Sequence, residues 1–282
     1  MATQLQQTTE QPYAFVKQQM REGKHKTSFL SQAIESLGSD ASMEAIHKWS
    51  ASSMYLGGAD TTVSALMTFF LAMTLFPDVQ KRAQEELDRV VGSRLPVSAD
   101  RESLPYIWAV VQETHRWHPV APMALPHAAT KEDVVMGYRI PKGALLMANN
   151  WWFTHDPAVY PDPMEFRPER FIETPTHMAE PDPRTWTFGY GRRVCPGRYV
   201  ADNALFLTIA QSLAVFNVNK LVENGKVVEP ETKFEPGVVS HPVPYRTSIT
   251  PRSEEHRERI KLAEKEYPFE ESDAAALKIM KW

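Results

Sequence analysis

The sequence predicts a mainly α-helical fold with small β-sheets attached, and three observations carry that reading. A helical pattern runs from Asp40 to Phe76 and stops at Pro77. Further helix-length segments follow at 77–91, 103–117 and 197–216. Strand-like sequence is confined to two short regions, "VVMGYRIPKGALLMAN" at 134–149 and "FEPGVVSHPVPYRTSITP" at 234–251. With 282 residues, 43% hydrophobic and 23% charged, the chain has the make-up of a globular protein with a sizeable core. A net charge of -4 leaves no electrostatic footprint for nucleic acid.

Each element has a local reason. Residues 11–37 read as a polar, amphipathic helical lead-in, broken at "LGSD", after which Asp40 is a natural N-cap. The second part of the long helix, Thr61–Phe76, is uncharged and apolar on every side, so it must be covered all round. It falls short of the roughly 18 residues a membrane span needs and reads as a core helix. In "PDVQKRAQEELDRVVG", Lys81 and Glu85, and Glu85 and Arg89, stand at i,i+4 spacing, and Gly92 is the stop. "SLPYIWAVVQETHRWHP" is a helix ended before Pro119, and "IPKG" fits a type I turn. Of the 22 prolines, many crowd into a rigid meander at 157–183. The tail from Ser253 is densely charged and reads as a solvated helix. The polar start "MATQLQQTTEQ" is no signal peptide.

Cys195, in "FGYGRRVCPG", is the only cysteine. A lone thiol excludes an internal disulfide and a multi-cysteine zinc site. Three roles remain: an inert packed thiol, a nucleophile, or a single thiolate ligand. Pro196 suits the first position of a helix, and Gly197 lets something large approach the backbone. A helix N-terminus with Arg192 and Arg193 beside it favours the thiolate over the thiol. An inert thiol does not need such surroundings. A nucleophile needs a histidine base, and no pattern singles one out among the nine histidines.

The segment "FGYGRRVCPG" is similar to the haem-binding signature of the cytochrome P450 family at Phe188, Gly191, Arg193, Cys195 and Gly197. Three further motifs stand in the family's order. "GGADTT" at 57–62 sets two glycines in a helix interior at a cost of about 1 kcal/mol each, and resembles the oxygen-binding groove. "ETHR" places Glu113 and Arg116 at i,i+3, and "FRPERF" supplies Arg170. The resemblance implies the C-terminal portion of the P450 fold over residues 1–252: a long oxygen-groove helix 40–76, an E-x-x-R helix 103–117, the meander 157–183 and a haem-cysteine loop 188–197. Residues 253–282 are then a charged C-terminal extension.

The same resemblance implies a haem-dependent monooxygenase, with haem (heme b) held by the axial thiolate of Cys195. Arg193 and His127 meet its propionates. Asp60 and Thr61 deliver protons to dioxygen, and Glu113, Arg116 and Arg170 form a structural triad. It implies electrons from NADPH through NADPH-cytochrome P450 reductase and a hydrophobic organic substrate met by 120–125 and 238–246. It also implies, for the full-length relative, a membrane anchor and the cytosolic face of the endoplasmic reticulum. The wording is closest to fungal microsomal P450s of secondary metabolism. No anchor or other targeting segment is expected in this chain, which covers the C-terminal half only, as a partial gene model or a truncated product. The alternatives are an inactive fragment or non-catalytic haem-binding remnant, and a cysteine hydrolase.

Overall fold

The computed structural model describes residues 2–38 and 40–279. In chain order the elements are α1 (Ala2–Arg21), α2 (Phe29–Leu37), α3 (Ala41–Ala59), α4 (Thr61–Leu75), α5 (Pro77–Val90) and α6 (Pro105–Trp117). Four short strands follow: β1 (His127–Ala128), β2 (Asp133–Val135), β3 (Tyr138–Ile140) and β4 (Leu145–Leu146). Then come α7 (Asn150–His155), α8 (Arg184–Thr187), α9 (Arg198–Val215), β5 (Phe216–Glu223), β6 (Lys226–Val228), β7 (Thr247–Pro251), α10 (Glu254–Glu266) and α11 (Ala274–Ile279). The fold is mainly helical with small antiparallel sheets, as the sequence predicts: β1 pairs with β4, β2 with β3, and β5 lies between β6 and β7.

The chain divides into two compact units, one built from residues up to Ala59 and from Glu264 onward, the other from Asp60–Ala263. In the first, Ser28 caps α2 by accepting from the Ser31 N–H at 3.1 Å, and Asp40 caps α3 by accepting from the Met43 N–H at 3.0 Å. Thr9 and Ser52 share a buried hydroxyl contact of 3.0 Å between α1 and α3.

The second unit holds the main core, where α4, α5, α6 and α9 meet around Phe69, Leu71, Met73, Leu87, Val110, Phe206 and Ile209. These side chains are almost wholly enclosed, each stabilising the fold by about 1.5–3 kcal/mol relative to exposure. Their enclosure makes α4 a core helix, although the run Ser42–Leu75 is long and apolar enough to cross a membrane. Gln80 of α5 acts as an extra strand partner for β5, giving Nε2–H to the Val218 carbonyl at 2.8 Å and accepting the Val218 N–H at 2.7 Å.

Several local expectations are corrected. The lead-in expected over 11–37 is helical, as α1 and α2 with a break between Arg21 and Phe29. The run expected over 40–76 is interrupted at Asp60 (φ -111, ψ -38), whose carbonyl starts α4 by accepting from Ser64 N–H at 2.9 Å. The preceding Gly57 and Gly58 weaken helix propensity at that point. Covering of α4 is not complete, since Val63 in its first turn is 47% exposed. Ion pairs on α5 reach other elements instead: Arg82 with Glu169, and Asp88 with Arg252, at 2.5 Å each. The turn after Ile140 lies one residue later than expected, with Ala144 N–H bonding the Pro141 carbonyl at 3.1 Å and Gly143 at φ +85. Pro196 is not the first helical residue, because α9 begins at Arg198 with Gly197 as its cap.

Candidate functional site

Cys195 sits in a turn between α8 and α9 and is half-buried. Its N–H donates to the Phe188 carbonyl at 2.7 Å, closing the loop on itself. Gly189 (φ +82) and Gly191 (φ +55) take left-handed conformations that let the chain reverse inside so short a span. At Gly197 the reason is different. Its φ of -84 suits any residue, and a Cβ there would stand 3.9 Å from Cys195 Sγ, an ordinary contact. The polypeptide's own packing therefore does not need this glycine, and what it leaves free is the approach to the sulfur. Arg193 ends a 3-10 turn at Gly191–Arg193 and is exposed, as is His127 on β1, whose strand pairs His127 with Leu146.

The triad residues come together. Glu113 and Arg116 are wholly buried and joined twice, Nε to Oε2 at 2.7 Å and Nη2 to Oε1 at 2.8 Å. Arg116 also donates to the carbonyls of Thr154, Pro163 and Glu165 at 3.1, 2.8 and 2.9 Å. Arg170 brings Nε to 3.4 Å from Glu113 Oε1 and gives its other donors to the Pro161 carbonyl and, at 2.6 Å, the Asp162 carbonyl. The Arg167 N–H donates to Glu113 Oε1 at 2.7 Å. Burial pushes the Glu113 carboxyl up; Arg116, the Arg167 N–H and Arg170 oppose it. Arg116 thus pins the proline-rich meander to α6 through backbone carbonyls, and Arg170, from within the meander, ties it to Glu113, which explains how so irregular a segment is held.

Asp60 and Thr61 open α4, with Thr61 half-buried. The Asp60 side chain makes no cap bond and instead approaches His241 Nε2 at 3.1 Å. One turn on, the buried Ser64 hydroxyl donates to the Ser240 carbonyl at 2.7 Å. The Ser240 N–H donates to the Val120 carbonyl at 2.8 Å. So the segments 120–125 and 238–246 lie side by side and both are tied to the start of α4. Asn150 continues the linkage, donating Nδ2–H to the Ala121 carbonyl at 3.1 Å and accepting the Tyr190 hydroxyl at 2.9 Å. Through Tyr190 the cysteine loop joins the same framework. No hydrogen bond or ion pair among the described residues links Cys195, Arg193 or His127 to Asp60 or to one another; the loops carry them as separate groups.

Sequence reasoning missed several polar residues here. His118 Nε2 meets the Ser240 hydroxyl at 2.9 Å, and its ring stacks on Phe234 at 3.3 Å between centroids. Arg184 of α8 pairs with Asp182 and, at 2.9 Å, with Asp202 of α9. His115 presses edge-on against Phe188 at 5.1 Å. Apart from the neighbouring Asp182–Arg184 pair, nothing in local spacing flags these contacts, since the partners lie on different elements.

The donor chemistry fits a haem. There is one half-buried thiol beside a glycine, one arginine exposed in its loop and one histidine exposed on β1, and exposed apolar side chains such as Leu125, Tyr199 and Val200 in the flanking segments. Comparison with known proteins agrees. The family profile described as Cytochrome P450 matches residues 1–249. "Cytochrome P450 monooxygenase claR" of Ampulloclitocybe clavipes is 48% identical over 94% of this chain and 50% of its own length. "Cytochrome P450 monooxygenase 208" of Postia placenta is 51% identical over 89% of this chain and 49% of its own length. "O-methylsterigmatocystin oxidoreductase" of Aspergillus flavus is 41% identical over 96% of this chain and 51% of its own length. A solved zebra fish cytochrome P450 with abiraterone superposes with a TM-score of 0.64 at 34% identity, over 72% of this chain and 48% of that one. The chain spans about half the length of the curated relatives it matches. A lone half-buried cysteine in a glycine-bearing loop, a buried Glu–Arg–Arg triad and a profile match over most of its length place this chain in the cytochrome P450 family.

Proposed function

We propose that this chain supplies the thiolate and proton-delivery parts of a haem-dependent monooxygenase that inserts one oxygen atom of dioxygen into a hydrophobic organic substrate. The observation that carries the reading is Cys195, the single thiol, half-buried beside a glycine whose missing side chain serves nothing in the polypeptide itself. Haem b, when bound, would supply the redox and oxygen chemistry, with electrons from NADPH through a flavoprotein reductase.

The chain's own residues have distinct tasks in this reading. Cys195 Sγ would hold the haem iron, and the Phe188 carbonyl fixes its backbone through the 2.7 Å bond. Arg193 and His127 would meet the two carboxylates of the haem; Gly191 and Gly197 keep side chains out of the way. Asp60 is 57% exposed and immediately precedes Thr61 in the chain; the two would pass protons inward from solvent. Segments 120–125 and 238–246, tied together by the Ser240–Val120 bond, would line the substrate side and keep water out. Secondary metabolism and a reductase-containing endoplasmic-reticulum membrane are the matching setting by family resemblance.

The test is Cys195→Ala in the haem-loaded chain. The thiolate-type reduced–CO Soret band should be present in the wild type and absent in the variant, because no thiolate remains to hold the iron. A variant that keeps the band would overturn the ligand assignment. Haem binding with the band but no turnover would favour a non-catalytic haem-binding remnant.

A further inference from the structure

The cysteine loop is held from behind by polar residues that neither the triad nor the proton path uses. Arg184 opens α8, just before Phe188, and Asp202 lies in the second turn of α9, just after Gly197. Their 2.9 Å ion pair ties the two ends of the loop together across its base. Asp182 grips Arg184 on its other side, accepting Nε–H at 3.0 Å, and the guanidinium lies 4.4 Å over the Trp108 ring. His115, on α6 between Glu113 and Arg116, fills the space under the loop. Its ring meets Phe188 edge-on, and its Nε2 faces Asp202 Oδ1 at 3.9 Å.

That last approach is unusual. His115 is 5% exposed and Asp202 7%, and neither His115 Nε2 nor Asp202 Oδ1 has a hydrogen-bond partner among the described residues. Buried polar atoms left in this way need an explanation. The two residues share their space with the Phe188 ring on one side and the Arg184–Asp202 pair on the other. Burial, with Arg184 nearby, lowers the His115 pKa to about 4, so the ring is neutral near pH 7 and leaves the Asp202 charge to Arg184.

We propose that His115 and Asp202 are positioning residues for the cysteine loop: the His115 ring seats Phe188, and Asp202 latches Arg184, so that the turn carrying Cys195 keeps its thiol half-buried and correctly aimed. The chemistry supports this directly, since Phe188 is the residue whose carbonyl takes the Cys195 N–H. The inference rests on the haem-thiolate reading only for what the aimed thiol is for.

Because Cys195 is the only cysteine, a thiol-specific disulfide reagent applied to the haem-free full chain reports this one position. Asp202→Asn and His115→Ala should each raise its reaction rate by about ten-fold, the effect of losing one contact on a local opening equilibrium. His115→Phe, which keeps an aromatic ring beneath Phe188, should stay near the wild-type rate. If His115→Ala does not fold, His115→Gln and Asp202→Asn carry the test. Rates within about two-fold of wild type in folded Asp202→Asn and His115→Ala (or His115→Gln) proteins would overturn the proposal. So would an equal rise in His115→Phe and His115→Ala for the His115 part. In the haem-loaded chain the variants with fast thiols should also lose part of the thiolate-type reduced–CO band. A wild type that never shows this band would sink the haem reading, while the thiol rates would still decide the clamp.

Discussion

His241 Nε2 stands 3.1 Å from the Asp60 carboxylate, and one helical turn further on Ser64 donates its hydroxyl to the Ser240 carbonyl at 2.7 Å. Two neighbouring residues of one loop thus meet the residue that caps α4 and a residue of its first turn, at i,i+4. The pair is worth little to stability, because Asp60 is 57% exposed and such contacts contribute about 0–1 kcal/mol. Its consequence is orientational: the acid that would feed Thr61 is held toward the 238–246 segment rather than left to rotate.

His241→Leu should therefore leave unfolding nearly unchanged but misdirect proton delivery. In the reductase-coupled enzyme, product formed per NADPH consumed should fall by a few-fold while peroxide rises, since positioned proton transfer contributes about 10²–10⁴ in rate and only part of it is at stake here. An unchanged ratio would mean that the contact has no part in proton delivery.

The buried Glu113 leads to the opposite balance of stability and function. Glu113→Ala strands two guanidiniums, those of Arg116 and Arg170, inside protein. Removing one partner of a buried pair costs about 3–5 kcal/mol, against a total of roughly 5–15 kcal/mol for a domain. The variant should show a large drop in urea unfolding free energy and poor soluble yield. A loss under about 1 kcal/mol would show that the meander holds without the pair.

These contrasts show what sequence can and cannot carry. Helices α5, α6 and α9 are legible because apolar spacing and proline or glycine punctuation act within a few residues. The cysteine loop is legible for a related reason, since Phe188, Gly191, Arg193, Cys195 and Gly197 stand at fixed short spacings. Strand β5 is not, because its only deeply buried side chain is Val218 and its support comes from Gln80 and β7, far away in the chain. The Arg184–Asp202 pair is invisible for the same reason, a long-range choice among 31 lysines and arginines and 35 acids, and the Asp60–His241 contact is likewise long-range. The interruption at Asp60 falls just after Gly57 and Gly58, which weaken helix propensity at the end of α3.

Gly197 separates packing from ligand binding. The Gly197→Ala methyl group would meet only Cys195 Sγ, at 3.9 Å, with the backbone at an unstrained φ of -84. The folding cost should stay within about 1 kcal/mol, the difference between glycine and alanine at an N-cap. Haem affinity should drop by about ten-fold or more, equal to roughly 1.4 kcal/mol, because the methyl occupies the approach to the sulfur. Comparing the unfolding midpoint with haem titration decides it; equal haem affinity in the two proteins would mean that the glycine does not serve the ligand.

Three buried histidines, His115, His118 and His155, should make the fold sensitive to mild acid. Each is at most 6% exposed. Burial, the main cause in every case, lowers their pKa values to about 4, about 3 and about 4. Arg184, His155 and Arg116 respectively add like-charge repulsion. The unfolded chain binds these protons near pH 6.5, whereas the native state refuses them until about pH 4, so unfolding takes up protons in that window. Stability is therefore full above about pH 6.5 and falls as pH drops, by on the order of 1 kcal/mol per pH unit for each histidine. Asp182, whose pKa the Arg184 partner holds down against burial, adds a loss of the same sign at lower pH. Urea unfolding at pH 7, 6 and 5 measures the slope, and His118→Gln should reduce it by about one proton. A stability that stays flat from pH 7 to 5, or a slope that His118→Gln leaves unchanged, would show that these imidazoles reach protons in the native state.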